Sequence, residues 1–522
     1  MAPKWLKKAV FYQVYPQSFY DSNGDGIGDI PGVIAKLDYI KNLGVDAIWF
    51  NPWYESPFRD AGYDISDFYK VAKRYGSNSD AKKLFAEAHK RGIKIVLDLV
   101  IGHTSLDCQW FKESEKPERN AYSDYYVWCP IAYYRGTGKG DDYFVSGWGP
   151  RGAFLANYYA VQPALNFGYA KIEHSWELRY DDPRCRATKE EMIRVMRYWM
   201  DMGADGFRVD MASSVIKRDA GKKKTISFWK EVRRIFDRDY PENVLISEWF
   251  DPATALKAGF HIDFCYNSFW RCGDRPEKPD PKWPQMAMAE KNFTDPVPAI
   301  KPAFDLIQKT QKKGYIGFYS GNHDGARLRY YGSEANTIVK LAMLFTLPGT
   351  PFLYYGDEIG MRYRENLTPK EGGERRTGSR TPMQWDNALV NAGFSTAAKE
   401  QLYLPVDDAA DAPDVADALK GNNATYNAVT QLLALRKRHI ALDNDAKVEL
   451  VYLKHRKMPI AYTRTKGREK LLVLLNSSRD GVTVKMPKFK NAEVLLAKDV
   501  KMIDGIFALA PCSYGIYKIR TL

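Results

Sequence analysis

Cysteine is scarce: six in 522 residues, at positions 108, 129, 185, 265, 272 and 512, with no CxxC spacing among them. That argues against a zinc ribbon or a redox pair, and free thiols suit a reducing compartment. No run of eighteen apolar residues occurs, so no transmembrane helix and no membrane partner are expected. The N-terminal MAPKWLKKAVFYQVYPQSF sets three lysines before an apolar stretch, as a leader would. The stretch is short, is interrupted by Gln13 and lacks a small-residue cleavage site, so it reads as a first strand and the protein as cytoplasmic. Internal repeats and low-complexity linkers are also missing. Charge is unbalanced, with Lys+Arg 77 against Asp+Glu 64 and a net +13. The basic residues are spread along the chain rather than clustered, as on a solvated surface, so no nucleic-acid partner is expected.

What is present is ordinary globular composition, 45% hydrophobic and 27% charged, in a chain long enough for one large domain plus accessories. Eight short β-rich runs alternate with helical stretches: Val10–Tyr15, Ala47–Asn51, Lys94–Val100, Gly206–Asp210, Val244–Glu248, Ile262–Tyr266, Tyr315–Ser320 and Pro351–Tyr355. Several are apolar throughout, as strands buried on both faces must be. Eight strand–helix units predict an α/β fold closed into a (β/α)8 barrel. Helices are expected at Asp80–Arg91, at Thr188–Met202 behind a Thr188–Glu191 capping box, and at Tyr426–His439. Roughly 104–175 is aromatic and glycine-rich without helical period, which reads as a subdomain inserted after the third strand. The barrel then occupies 1–103 and 176–445. Val448–Leu453, Leu471–Asn476, Val482–Met486 and Ser513–Ile519 read as strands of an antiparallel C-terminal β-sandwich over 446–522.

Active sites of such barrels lie at the C-terminal ends of the strands. The third run is followed by His103, the fourth carries Arg208 and Asp210, the fifth ends in Glu248, and the seventh is followed by His323 and Asp324. Period two puts Arg208 and Asp210 on one side of their strand, where the guanidinium should hold Asp210 ionised, as a nucleophile requires. Glu248 ends an apolar strand beside Trp249, where a less solvated carboxyl would stay protonated and serve as general acid. Retaining glycoside hydrolysis needs such a pair about 5–5.5 Å apart, and Asp324 could grip sugar hydroxyls.

These residues carry a resemblance. FYQVYPQSF, DGFRVDMA, ISEW, GNHD, YYGDEIGM and RTPMQWD resemble, in order along essentially the whole chain, the signature segments of the α-amylase superfamily, glycoside hydrolase family 13. They are most similar to its oligosaccharide-acting α-glucosidases and their trehalose synthase-like and sucrose-acting relatives. The resemblance implies that Asp210 is the nucleophile, Glu248 the acid/base and Asp324 the transition-state stabiliser. It places Arg208, His103 and His323 around the sugar in the −1 subsite and Tyr63 as the platform beneath it. Asp60 and Arg380 match the pair that closes the pocket over the non-reducing end, which implies exo-action. QPALN (162–166) resembles the segment that ends the inserted subdomain. Gly102 stands where the family usually has Asn, a ligand of the calcium that amylases hold between barrel and subdomain. Met211 and Trp249 follow the two catalytic acids, and Trp53 is a further candidate for stacking on sugar at the acceptor side.

The loop DSNGDGIGD (21–29) alternates oxygen ligands at Asp21, Asn23, Asp25, the Ile27 carbonyl and Asp29. Such spacing supplies a hard cation from one side, but the twelfth position is Gly32, which rules out an EF-hand. The same loop resembles the divalent-cation site after strand one of the α-glucosidase relatives, implying structural Ca2+ or Mg2+. The expected protein is a retaining α-glucosidase acting on α-linked oligosaccharides or disaccharides. A transglucosidase or isomerase sharing the covalent intermediate is the alternative, and a monomer or small homo-oligomer is expected. A non-catalytic scaffold of the same fold would have lost catalytic acids, and here all are present.

Overall fold

In the computed structural model the residues described are 2–147, 149–265, 288, 290 and 295–520. The eight expected runs form strands β1 (Phe11–Val14), β2 (Ala47–Phe50), β3 (Lys94–Val100), β4 (Gly206–Asp210), β5 (Val244–Ser247), β6 (Ile262–Phe264), β7 (Tyr315–Tyr319) and β8 (Thr350–Tyr354). All pair in parallel and close into a barrel, β1 bonding both β2 and β8. Tyr266, expected at the end of β6, and Cys272 lie outside the described residues; the five described cysteines are free thiols. Strand ends fall within a residue or two of expectation because each apolar run stops where the chain leaves the barrel wall.

Period two decides what fills the barrel. Phe11, Trp49, Val96, Val244, Ile246, Ile262, Phe264, Tyr315, Tyr319 and Phe352 pack into one buried cluster. The same inward register carries on toward the C-terminal rim as Gln13, Asn51, Asp98, Arg208, Asp210 and Glu248. An apolar plug thus gives way to a polar rim, and that rim is the site.

The helix before β3 spans Asn78–Lys90 and is capped by Ser77, which exchanges hydrogen bonds with Asp80 in a capping box. The helix before β4 starts five residues earlier than expected, spanning Pro183–Met202 with Asp182 as N-cap. Thr188 and Glu191 therefore imitate a capping box inside the helix, and Asp182–Pro183 is the true start signal. Between β3 and that helix lies the insertion, with a short helix (Gln109–Ser114) and a three-stranded sheet built from Trp128–Cys129, Ala153–Leu155 and Phe144–Val145. The last helix before the C-terminal domain is Ala424–Arg438.

That domain is antiparallel, as expected. Its strands are β9 (Lys447–Lys454), β10 (Lys457–Lys466), β11 (Glu469–Asn476), β12 (Val482–Lys485), β13 (Glu493–Ile503) and β14 (Ile506–Lys518), joined in one hydrogen-bonded sheet. β14 is its hub: one edge pairs with β13 and the other with β11 and β12. β10 and β13 had no sequence expectation. One buried arginine staples this sheet to the barrel, and a second ties the last barrel helix to its neighbours. Arg464 of β10 donates to the carbonyls of Thr346 and Asp443, and Arg436 to those of Phe345 and Gly349. Truncating Arg464 takes the side-chain donor from the buried Thr346 carbonyl and leaves a cavity at the seam. Arg464→Ala should lower the unfolding free energy by about 2–4 kcal/mol in guanidinium titrations, with turnover per folded molecule unchanged. A loss below ~1 kcal/mol would show that the staple contributes nothing.

Candidate active site

The site begins with one glycine. Gly206 opens β4 at φ +134°, and a Cβ there would meet the Val244 carbonyl oxygen at 2.0 Å. Its absence lets β4 lie against β5, which sets Arg208 and Asp210 beside Glu248. Arg208 is 2% exposed and its guanidinium serves three carboxylates at once: Asp98 at 2.7 Å, Asp210 at 3.1 Å and Glu248 at 2.8 Å. Trp49 lies 5.2 Å away as a cation–π partner. After Asp210 the chain turns through Met211 at φ +44°, strained for a side chain of that size. The turn aims the Met211 amide at Glu248 Oε2, 3.1 Å away. A left-handed residue whose amide grips a neighbouring rim carboxylate is strain spent on placement.

A second cluster faces the first. Asp324 accepts from His323 Nε2 at 2.9 Å and from both Arg376 and Arg380 at 3.1 Å. Arg376 reaches on to Asp60 at 3.1 Å, and Asp60 also accepts from Gln162 of the QPALN segment at 2.8 Å. The expected pairing of Asp60 with Arg380 is therefore corrected. Arg380 is 1% exposed and is spent on Asp324, the His323 carbonyl and the Tyr15 hydroxyl. Arg376, which sequence reasoning missed, is the cation that spans Asp60 and Asp324. Tyr63 lies parallel to His323, with ring centroids 5.5 Å apart, and its hydroxyl reaches Asp98 and His323.

Asp60, Tyr63, His103, Asp210, Glu248 and Asp324 line one cavity of about 1180 Å3 at the strand ends, with Met211 and Trp249 also on its wall. Trp53 is not there. It is 1% exposed and packs against Phe50, Phe85 and Trp199, so it is core and cannot stack on sugar. His103 borders the cavity, but its Nε2 lies 3.1 Å from the Tyr63 carbonyl and its Nδ1 2.9 Å from Asn157 Nδ2. Both nitrogens are thus engaged, and burial pushes its pKa down to about 4, leaving it neutral. A Cβ at Gly102 would stand 2.7 Å from that same Asn157 amide, which fills the space of the side chain that the family pattern has there. Nearby, the ammonium of buried Lys217 donates to the Ser214 carbonyl at 3.2 Å and lies 3.4 Å from Asn157 Oδ1, tying barrel to insertion.

Electrostatics correct one expectation. Burial, and then the negative charge of Glu248, raise the Asp210 carboxyl well above its usual value, against the pull of Arg208. Arg208 does not hold Asp210 low because its single charge is divided among three acids. Ionisation of Asp210 is therefore resisted in the free enzyme. At Asp324 burial works in the same direction, but His323, Arg376 and Arg380 outweigh it and hold the carboxyl well below the ordinary range. Of the two facing clusters, one resists ionisation at Asp210 and the other favours it at Asp324.

The 21–29 loop lies apart from these groups. Asp21 accepts from the amides of Asn23, Gly24 and Gly26, Asn23 from Asp25, and Asp25 from Ile27, while Asp29 caps the next helix through the Gly32 amide. Asp21 and Asp29 are 5% and 2% exposed.

The sequence from Gln13 to Asp445 matches the family model of the alpha-amylase catalytic domain, over residues 13–445. The chain belongs to the α-amylase family. It is thus a glycosidase. An oligo-1,6-glucosidase of Parageobacillus thermoglucosidasius is 32% identical over 601 aligned residues, covering 99% of each chain. A trehalose synthase/amylase of Mycolicibacterium smegmatis is 35% identical, covering 84% of this chain and 77% of its own. Among solved structures, the trehalose-6-phosphate hydrolase of Bacillus licheniformis superposes with a TM-score of 0.82 at 26% identity, covering 99% of this chain and 100% of its own. Isomaltulose synthase of Erwinia rhapontici gives 0.81 at 26%, covering 100% of both.

The shared guanidinium makes a pH prediction. Arg208 favours the ionised form of Asp210, so Arg208→Gln should raise the Asp210 titration further. The acidic limb of kcat/KM, which reports the free enzyme, should move to higher pH by about one unit or more. An unmoved limb would mean that Arg208 does not share its charge with the pair.

Proposed function

We propose that this glycosidase is a retaining α-glucosidase, releasing glucose from the non-reducing ends of α-linked oligosaccharides through a covalent glucosyl–enzyme intermediate. The observation that carries the reading is the pair of facing clusters: Asp210 and Glu248 on one guanidinium, opposite an ionised Asp324 that Arg376 ties to Asp60. In this reading Glu248 is the acid whose proton passes to the glycosidic oxygen of the bound sugar. Asp210 attacks the anomeric carbon as that bond breaks. Asp324 holds ring hydroxyls and favours the flattened, positively charged sugar. Glu248, now deprotonated, takes a proton from water as the second displacement frees glucose and restores Asp210. Tyr63, His103, His323 and Arg208 form the wall and floor around that sugar.

The Asp60–Arg376 bridge across one end supports exo-action. Arg376→Ala should cut kcat/KM on open maltosaccharides by about a hundredfold. It should also improve, relative to them, cleavage of a maltosaccharide whose non-reducing end is blocked. Equal losses on both substrates would place the end wall elsewhere. A second reading, transglucosylation or isomerisation, is favoured by relatives named trehalose synthase and isomaltulose synthase and by the apolar Met211 and Trp249 on the cavity wall. Product analysis on maltose, isomaltose, sucrose and trehalose separates the two. Free glucose from α-linked glucosides supports hydrolysis, and isomeric disaccharides support transfer.

We further propose a structural Ca2+ or Mg2+ in the 21–29 loop, held by Asp21, Asn23, Asp25, the Ile27 carbonyl and Asp29. Burial raises the Asp29 carboxyl there, with Asp21 adding to it, and among the described residues no cationic side chain pairs with either. Such a cation would neutralise them and rigidify the turn before the first barrel helix. Chelation should lower the melting temperature by several degrees and leave initial kcat at low temperature nearly intact. An unchanged melting temperature would sink the metal.

A further inference from the structure

Strand β1 carries one polar side chain among apolar neighbours, Gln13, and the reaction described above gives it no task. Its side chain is 1% exposed, beneath the floor of the cavity. Nε2 of this amide lies 2.9 Å from Asn51 Oδ1 and 3.0 Å from His323 Nδ1. Asn51 donates onward from Nδ2 to the Tyr63 hydroxyl at 3.0 Å. An amide nitrogen has only protons to offer, so His323 Nδ1 is an unprotonated acceptor. The ring proton then sits on Nε2, which lies 2.9 Å from Asp324 Oδ2 and 2.8 Å from the Tyr63 oxygen. The Tyr63 proton is left for Asp98 Oδ2 at 3.1 Å. Every donor along this path meets an acceptor. Turning the Gln13 amide over would set its oxygen against Asn51 Oδ1. It would also leave a bare Nε2 lone pair facing the Asp324 carboxylate.

We propose that Gln13 is a positioning residue that holds His323 neutral in its Nε2–H form, so that Asp324 receives a neutral donor. No further positive charge then stands beside the glycosyl cation that forms in the reaction. The inference rests on the reading of Asp324 as the group that stabilises that cation. By donating to Nδ1, Gln13 blocks the one position where the ring could take a second proton. The other groups facing the imidazole are Asp324 and Tyr63 at Nε2, Arg380 on the His323 carbonyl, the stacked Tyr15 ring at 6.4 Å and the Trp49 edge at 6.2 Å. Burial lowers the pKa of His323, Asp324 alone opposes it, and Arg380 and Arg208 add to the lowering.

Gln13→Glu reverses the contact, because a carboxylate accepts a proton from Nδ1 and stabilises the imidazolium. Its kcat should fall about a hundredfold with KM within about threefold, and activity should recover as pH rises through the new imidazolium pKa. Gln13→Met removes the donor without adding charge and should lose less, with no new titration. Ring-15N NMR of histidine-labelled protein, with His323 assigned by His323→Gln, reads the tautomer without substrate. The wild type should show neutral Nε2–H across roughly pH 5.5–8, and Gln13→Glu a doubly protonated ring. An imidazolium or an Nδ1–H form in the wild type would overturn the proposal, even if Gln13→Glu failed to fold. So would a folded Gln13→Glu with unchanged kcat and pH profile. Absence of glucosidase activity in a wild type that shows the Nε2–H form would instead fault the reading of the reaction.

Discussion

One buried cation, the Arg208 guanidinium, organises the reacting end of this barrel. It lies between Asp98 below and the Asp210–Glu248 pair above, and all three acids are within hydrogen-bond reach of its two terminal nitrogens. A single positive charge cannot satisfy three buried negative ones, so full ionisation of the cluster is resisted. Asp98 is pushed up to about 6 by burial, against the pull of Arg208, and Asp210 is raised as well. The imbalance is useful. The double displacement proposed above would need one carboxylate and one carboxylic acid side by side, and an undersupply of positive charge makes it costly for both to ionise.

The opposite wall has the reverse balance. Asp324 takes hydrogen bonds from two arginines and a histidine, and it is held ionised. The two walls are joined under the floor by a path of buried hydrogen bonds that runs from Asp324 through His323 and Tyr63 to Asp98 and Arg208. Its members come from β3, β4 and the loops after β2 and β7, with Gln13 of β1 and Asn51, just beyond β2, bonded to it. The barrel thus does more than present separate side chains at its rim. Its parallel register fixes the relative heights of groups on neighbouring strands, and the network fixes their protonation.

Much of this was legible in the sequence. Eight apolar runs had to be strands buried on both faces, and the charged residues ending them had to meet at one rim. Asp210, Glu248, Asp324, Arg208, His323 and Tyr63 are brought together as that logic requires. What escaped has physical causes. Arg376 lies in a tight turn between Arg375 and Arg380, and only the folded loop decides which guanidinium faces Asp60. Trp53 follows a rim strand, yet the packing of Phe85 and Trp199 draws it into the core. Asp182–Pro183 was a readable helix start, masked by the stronger-looking Thr188–Glu191 pair. β10 was missed because Pro459 and Arg464 break its apolar alternation, and β13 because exposed lysines dilute its own. The pKa ordering of the acids was not readable at all, since it depends on how many carboxylates share Arg208. Gln13 and Asp98 left a signal that went unused: a polar residue inside an apolar strand run is rarely there without a partner.

Covalent trapping tests the central claim most directly. The protein is incubated with 5-fluoro-α-D-glucosyl fluoride, digested, and the adducted residue mapped by tandem mass spectrometry. The Arg208-centred arrangement predicts a stable fluoroglucosyl ester on Asp210, formed as activity is lost. An ester on Glu248 or Asp324, or turnover with inverted anomeric product and no adduct, would contradict it.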